Sequence, residues 1–172
     1  FALKFCSTYS IRPSKLFNGV DQRLCIYLAK AAKEYKEKIF TTRYCHWNTE
    51  ERAALFQLLQ YVPSYFDLRL KRVPKIGCQE AFEVLKKLEA KNSRNILHDY
   101  SEEQAGFKMH YHRSPRYWIR AMDFEQYFKS QTRNRSIHHF RDLDFADPNC
   151  GKVIGSLLNS TLFFFWFVAF SN

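Results

Sequence analysis

Ser10-Ile11-Arg12-Pro13-Ser14-Lys15-Leu16-Phe17-Asn18-Gly19-Val20-Asp21-Gln22-Arg23-Leu24-Cys25-Ile26-Tyr27-Leu28 is the stretch that decides the fold. A strand-like segment runs into a connection that carries Pro13 and Gly19, and a second apolar strand leaves it. Pro and Gly are the residues that punctuate strands, and β-formers lie on both sides of them. The stretch predicts a β-hairpin with one aromatic, Phe17, displayed at its turn. Working outward, residues 2–9 and 22–30 are the two strands. Residues 30–38 are a charged connector, and the alternating residues 39–44 predict a third strand.

Further along, Asn48 and Glu51 have the spacing of a capping box. Ala54, Leu55, Leu58, Leu59 and Val62 come next at helical spacing, so a helix is predicted from Asn48 until Pro63 stops it. A second helix is predicted over residues 79–91, with Phe82, Leu85 and Leu88 on one face and lysines on the other. Residues 92–104 are polar and loop-like. Residues 108–112, 117–121 and 137–145 predict short strands. Asp147 as cap and Pro148 at the first helical position open a last helix. The boundary between two domains is expected within residues 63–75.

The chain has 172 residues and a formal net charge of +10. Its apolar and aromatic content suffices for a packed core and excludes a disordered polymer. Residue 1 is Phe and apolar segments lie near both ends, which predicts an internal piece of a longer protein. The five cysteines, Cys6, Cys25, Cys45, Cys78 and Cys150, form no C-x-x-C pair, which argues against a disulfide framework or a Cys-rich zinc site and fits a reducing cytoplasm. Residues 153–170 carry no charge and reach the minimal length of a membrane span. Asn159 within them is costly in lipid, so a buried helix is the expectation and no membrane partner is predicted; a membrane-anchored protein stays open as a third reading.

The strongest physical signal is basic and aromatic. Residues 108–141 hold eight Lys or Arg against Asp123 and Glu125, with Tyr111, Tyr117, Trp118, Phe124, Tyr127, Phe128 and Phe140 interleaved and four of the six histidines. Arginine's planar fork matches phosphate oxygens and guanine edges, and a basic balance of this kind points to a polyanion. The candidate nucleic-acid contacts are Arg113, Arg116, Arg120, Lys129, Arg133, Asn134, Arg135 and His138, with the loop 130–136 as the groove or phosphate contact. His110-x-His112 would share a strand face, but no Asp, Glu or Cys stands beside it at ligand spacing, and no metal is predicted. No Gly-rich nucleotide loop, Walker motif or nucleophile elbow occurs. On residues alone the chain is a basic α+β binding module.

The hairpin resembles the one near the end of the catalytic sheet in adenine-N6 DNA methyltransferases of the Taq type and the related fused type IIG restriction–modification enzymes. Residues 39–52 resemble the strand and helix start beyond that hairpin. Residues 111–121 and 129–135 resemble the specificity region, and Leu158-Asn159-Ser160 resembles the Leu-Asn-Ser signature near that region's end. The resemblance implies an α/β fold: the tail of a Rossmann-like methyltransferase sheet with its antiparallel hairpin, followed by an α+β target-recognition domain. It implies a catalytic-domain portion at 1–66 and a truncated DNA target-recognition domain at 67–172. The implied reaction is methyl transfer from S-adenosylmethionine to adenine N6 in double-stranded DNA, whose base must leave the stack, with Phe17 stacking on that base. The family's Gly-rich donor motif and its Asn/Asp-Pro-Pro-Tyr/Phe motif are absent here. In the family they lie upstream of the hairpin, so S-adenosylmethionine would be bound by that upstream part and no catalytic residue is assigned here. The alternative is a non-enzymatic nucleic-acid-binding module, with RNA as a candidate partner, on the same basic–aromatic face.

Overall fold

The computed structural model describes residues 3–31, 38–91, 100–101, 106–115, 118–125 and 139–171. The fold is mixed α/β, with a mixed four-stranded sheet and a three-stranded antiparallel sheet. Two compact units result: residues 1–91 with 166–172, and residues 92–165. The compact units therefore divide after Lys91; whether a catalytic portion ends at 66 is a separate, functional assignment.

In the first unit, β1 (Leu3–Tyr9) and β2 (Leu24–Lys30) pair antiparallel from Leu3↔Lys30 to Tyr9↔Leu24, as the hairpin reading predicts. β3 (Lys38–Cys45) runs parallel to β1, with a bulge where Cys6↔Thr41 shifts to Thr8↔Tyr44. β4 (Val62–Ser64) pairs antiparallel with β3, giving the order β2-β1-β3-β4. Tyr9, Leu16, Cys45, Trp47 and Leu55 form the buried cluster at the end of the sheet, with the Tyr9 and Trp47 rings edge-on at 5.8 Å.

The helix expected from Asn48 to Pro63 is not formed. The local signal is real, because the Asn48 N–H donates to the Glu51 carboxylate at 2.7 Å. It starts only a six-residue 3₁₀ helix, Thr49–Ala54. Tertiary pairing overrides the periodicity: residues 62–64 extend to cover the edge of β3, which would otherwise expose open backbone groups. The expected stripe splits accordingly, with Leu55 buried and Leu58 70 % exposed. By contrast, α1 spans Gln79–Lys91 as predicted, buries Leu85, and lays Phe82 edge-on to Tyr65.

In the second unit, β5 (Phe107–His112) lies between β6 (Ala121–Met122) and β7 (Phe140–Phe145), all antiparallel. Of the strand expected over residues 117–121, Tyr117 lies outside the described residues and residues 118–120 are not in a strand; among the described residues β6 begins only at Ala121, where Ala121 and Met122 pair with β5. α2 (Pro148–Leu158) starts where predicted, with the Asp147 carboxylate accepting from the Asn149 N–H at 2.9 Å. The apolar run does not form one helix. The Asn159 side chain accepts from the Ala121 N–H at 2.9 Å and donates to its carbonyl at 2.8 Å. Ser160 then caps α3 (Thr161–Phe170), its hydroxyl accepting from the Phe163 N–H at 3.1 Å. Asn159 thus has the partner that its cost in an apolar run demands. No single helix among the described residues is long and apolar enough to cross a membrane; α2 and α3 are so only as a pair bent by 62°.

Phe145 and Met109 are the centre of this core, with Ala121 and Ile154. α2 approaches the sheet through two glycines one turn apart. A Cβ at Gly151 would lie 2.4 Å from the Phe107 ring and 3.1 Å from that of Phe145. At Gly155 it would meet the flexible end of Met109, 2.6 Å from Cε. Gly151→Ala is therefore expected to destabilise by about 1–3 kcal/mol through overpacking. Gly155→Ala should be near neutral, because Met109 can swing away and alanine regains about 0.5–1 kcal/mol of helix propensity. Denaturant midpoints at unchanged slope measure both; equal losses would show that the two contacts are equally rigid.

The last turn of α3 belongs to the first unit. Its carbonyls meet cations and a backbone donor: Arg72 Nη1 donates to Phe170 O at 2.7 Å, the Lys75 N–H to Ala169 O at 2.9 Å, and Lys75 Nζ to Ser171 O. Positive charge at a helix C-terminus is favourable. Burial, followed by Arg72 and Arg23, pushes the Lys75 ammonium down to about 8.

Candidate functional site

The hairpin connection is held at both ends and along its inner side. The Ser10 N–H donates to Cys45 O at 2.9 Å, and His46 Nδ1 lies 3.0 Å from Arg12 O. Ser14 is buried and its hydroxyl pairs with that of Thr49 at 2.8 Å. Leu16 enters the core cluster, and Arg52 reaches across from the 3₁₀ helix to donate to the Leu16 carbonyl at 3.1 Å and to the Lys15 carbonyl. Lys15 pairs with Asp21 at 2.6 Å, which holds the Asp21 carboxyl below its ordinary value.

The tip is a turn closed by Val20 N–H donating to Phe17 O at 3.3 Å. Gly19 has φ +78°, the backbone that a turn with glycine at its third position requires. Leu16 points inward and Phe17 outward, so the Phe17 ring is 58 % exposed, on a backbone held at the Leu16 carbonyl by Arg52 and at its own carbonyl by the turn bond. A large aromatic left in solvent on an anchored turn has an unused stacking face.

Beside that turn Pro13, Ser14, Lys15, Asn18, Gly19, Thr49 and Arg52 line an open cavity of about 450 Å³. Of these, sequence reading singled out only the turn residues Pro13 and Gly19. Arg52 and Thr49 are invisible to it, because their partners lie 35 to 37 residues away.

In the second unit, Arg113 and Arg120 are exposed and come together at the end of β5. The His112 N–H donates to Arg120 O, and the Arg113 N–H to His139 O, both at 3.0 Å. The rings of His112 and His139 stack at 6.0 Å. Partial burial, with Arg120, His139 and Arg113 nearby, pulls the His112 imidazolium below its ordinary range. Trp118 is 60 % exposed in the same short segment as Arg113 and Arg120. Arg116, Lys129, Arg133, Asn134, Arg135 and His138 lie outside the described residues.

His110 and His112 do share one face of β5, but His110 Nδ1 contacts the Asp142 carboxylate at 2.8 Å and Lys108 stands 3.6 Å from it. Among the described residues no three His, Cys, Asp or Glu side chains group to hold a metal. The five cysteines are free thiols, and burial together with its neighbour Cys25 pushes Cys6 up to about 11, far from a nucleophile's range. The arrangement can stack a flat ring and pair with anions. No family model matches the chain, and no significant match was found among curated proteins or solved structures.

Proposed function

We propose that this chain is the rear part of the catalytic domain of a site-specific adenine-N6 DNA methyltransferase of a restriction–modification system, followed by the start of its target-recognition region. The single observation that carries the reading is Phe17: an exposed aromatic on a hairpin turn whose backbone is held at Leu16 by Arg52 and at Phe17 by the turn hydrogen bond. The mixed sheet with an antiparallel β1–β2 pair and a parallel β1–β3 pair is compatible with the tail of a Rossmann-like sheet. The exposed Arg113, Arg120 and Trp118 are compatible with a DNA-facing surface in the recognition region.

The residues present do not fit the methyl donor. The five glycines are scattered, and Gly151 and Gly155 are taken up by helix packing. S-adenosylmethionine is therefore assigned to a part of the protein outside these 172 residues, and the role of this chain is to hold the flipped base and the duplex.

The test is transfer of a labelled methyl group from S-adenosylmethionine to duplex DNA by the whole protein. The product expected is N6-methyladenine. DNA binding without methyl transfer would favour the non-enzymatic module instead, and absence of both would end the reading. A second prediction concerns the loop. Replacing Arg133 and Arg135 together should weaken duplex binding and reduce the slope of log K against log salt by about 2, one counterion per phosphate contact. An unchanged slope would remove that loop from the interface.

A further inference from the structure

We propose that the cavity beside the hairpin turn is a phosphate-ester subsite, so that the hairpin binds one nucleotide unit: the base against Phe17 and its phosphate against Lys15 and Arg52. The proposal rests on the stacking reading of Phe17 for its base and on separate residues for its phosphate.

Three observations carry it. The first is position. Phe17 lies between two pairs of residues, Lys15 with Leu16 and Asn18 with Gly19, and three of those four line the cavity. An aromatic face at the rim of a polar hollow matches the two halves of a nucleotide, a flat ring and an anion joined by a sugar. The second is chemistry. The lining holds two cations, two hydroxyls, one amide side chain and a glycine backbone, and no carboxylate. Arg52 donates one N–H to each of two carbonyls, and a guanidinium has five donors, so most of its fork is left for an anion. Ser14 and Thr49 bond to each other, which commits only one of their two hydroxyl hydrogens. The third is the state of Lys15. Its ammonium is paired with the exposed carboxylate of Asp21, at 2.6 Å, across the hairpin connection. An ion pair whose carboxylate stands in solvent and whose lysine is partly exposed is weak, so a phosphate oxygen can replace Asp21 on Lys15 without disturbing the hairpin. Gly19 leaves open space where a side chain would stand, with nothing within 4 Å of a Cβ built there.

Two sources could supply the ester, a strand phosphodiester or a free nucleotide, and the probes separate them. The full 172-residue chain, isotope-labelled, is titrated with adenosine, with 5′-AMP and with the dinucleotide d(ApA). The esters are expected to bind about fivefold more tightly than adenosine and to shift the amides of Ser14, Gly19 and Thr49. Lys15→Gln should abolish that advantage and leave adenosine affinity unchanged, while Asp21→Asn should enlarge it by freeing Lys15. Phe17→Ala should weaken all three ligands alike and preserve their ratio. An advantage shared by d(ApA) identifies a nucleic-acid strand as the source; one confined to 5′-AMP identifies a free nucleotide. Equal affinities for adenosine and its esters, an unchanged ratio in Lys15→Gln, or no shift at Ser14, Gly19 and Thr49 overturns the subsite. Adenosine affinity that ignores Phe17→Ala sinks the stacking reading instead and leaves the phosphate result standing.

Discussion

On the methyltransferase reading proposed above, Phe17→Ala is expected to lower methyl transfer by about tenfold to a hundredfold while leaving the fold intact. The size comes from base–aromatic stacking, worth about 1–3 kcal/mol per base by alanine substitution. A base taken out of the duplex has lost its stacking partners, and a replacement partner lowers the cost of keeping it out. Stability should change by less than about 0.5 kcal/mol, because the ring is mostly in solvent and its removal opens no cavity. The two readouts separate the roles. A core residue would lose stability first and activity in proportion; a stacking residue loses turnover alone. Affinity for ordinary duplex should hold, since the ring meets the base only after flipping. Phe17→Trp keeps a flat face and should restore much of the rate. Unchanged turnover in Phe17→Ala would remove the stacking role, and with it the observation on which the methyltransferase reading chiefly stands.

The parts of the molecule legible in the sequence are those written in local signals. Pro13 and Gly19 between two β-forming runs marked the hairpin, and the register from Leu3↔Lys30 to Tyr9↔Leu24 agrees with it. The face of Phe82, Leu85 and Leu88 marked α1 over Gln79–Lys91, and Asp147 with Pro148 marked the start of α2. The parts that were not legible depend on partners far along the chain. The capping box at Asn48 formed, yet the helix behind it yielded to pairing of β4 with β3, which the periodicity of Leu55, Leu58 and Leu59 could not foresee. Asn159 read as a misfit in an apolar run until Ala121, 38 residues away, supplied both halves of its amide's hydrogen bonding. At the candidate site the same division holds. Phe17 was legible because a turn advertises its own tip, whereas Arg52, Ser14 and Thr49, which make the turn rigid and hollow, meet it only through tertiary structure. Arg113 and Arg120 were legible as charge; that the Arg120 carbonyl takes the His112 N–H was not.

Thr41→Val is expected to destabilise the chain by about 2–4 kcal/mol, although valine is the better strand former and the more apolar residue. Thr41 is 2 % exposed on β3, and its hydroxyl stands against Ile76, which is fully buried. The Ile76 N–H donates to that hydroxyl at 3.1 Å, and the hydroxyl lies 3.4 Å from the Ile76 carbonyl. Valine has nearly the same shape, so packing is kept, but a buried N–H and carbonyl lose their partner, each at about 1–3 kcal/mol. Thr41→Ser keeps the hydroxyl and loses one methyl, at about 1 kcal/mol. The order serine above valine is the signature; the reverse order would show that the contact is packing and not hydrogen bonding. The effect extends past the strand. Ile76 and Gly77 lie so close to β3 that a Cβ at Gly77 would sit 2.5 Å from that of Arg43. Lys75, next along, offers its N–H to Ala169 at the end of α3. One hydroxyl therefore holds down the segment that fastens the last helical turn to the first unit, and Thr41→Val should raise amide hydrogen exchange at Lys75 as well as at Ile76 while the β1–β2 pairing beneath Phe17 stays protected.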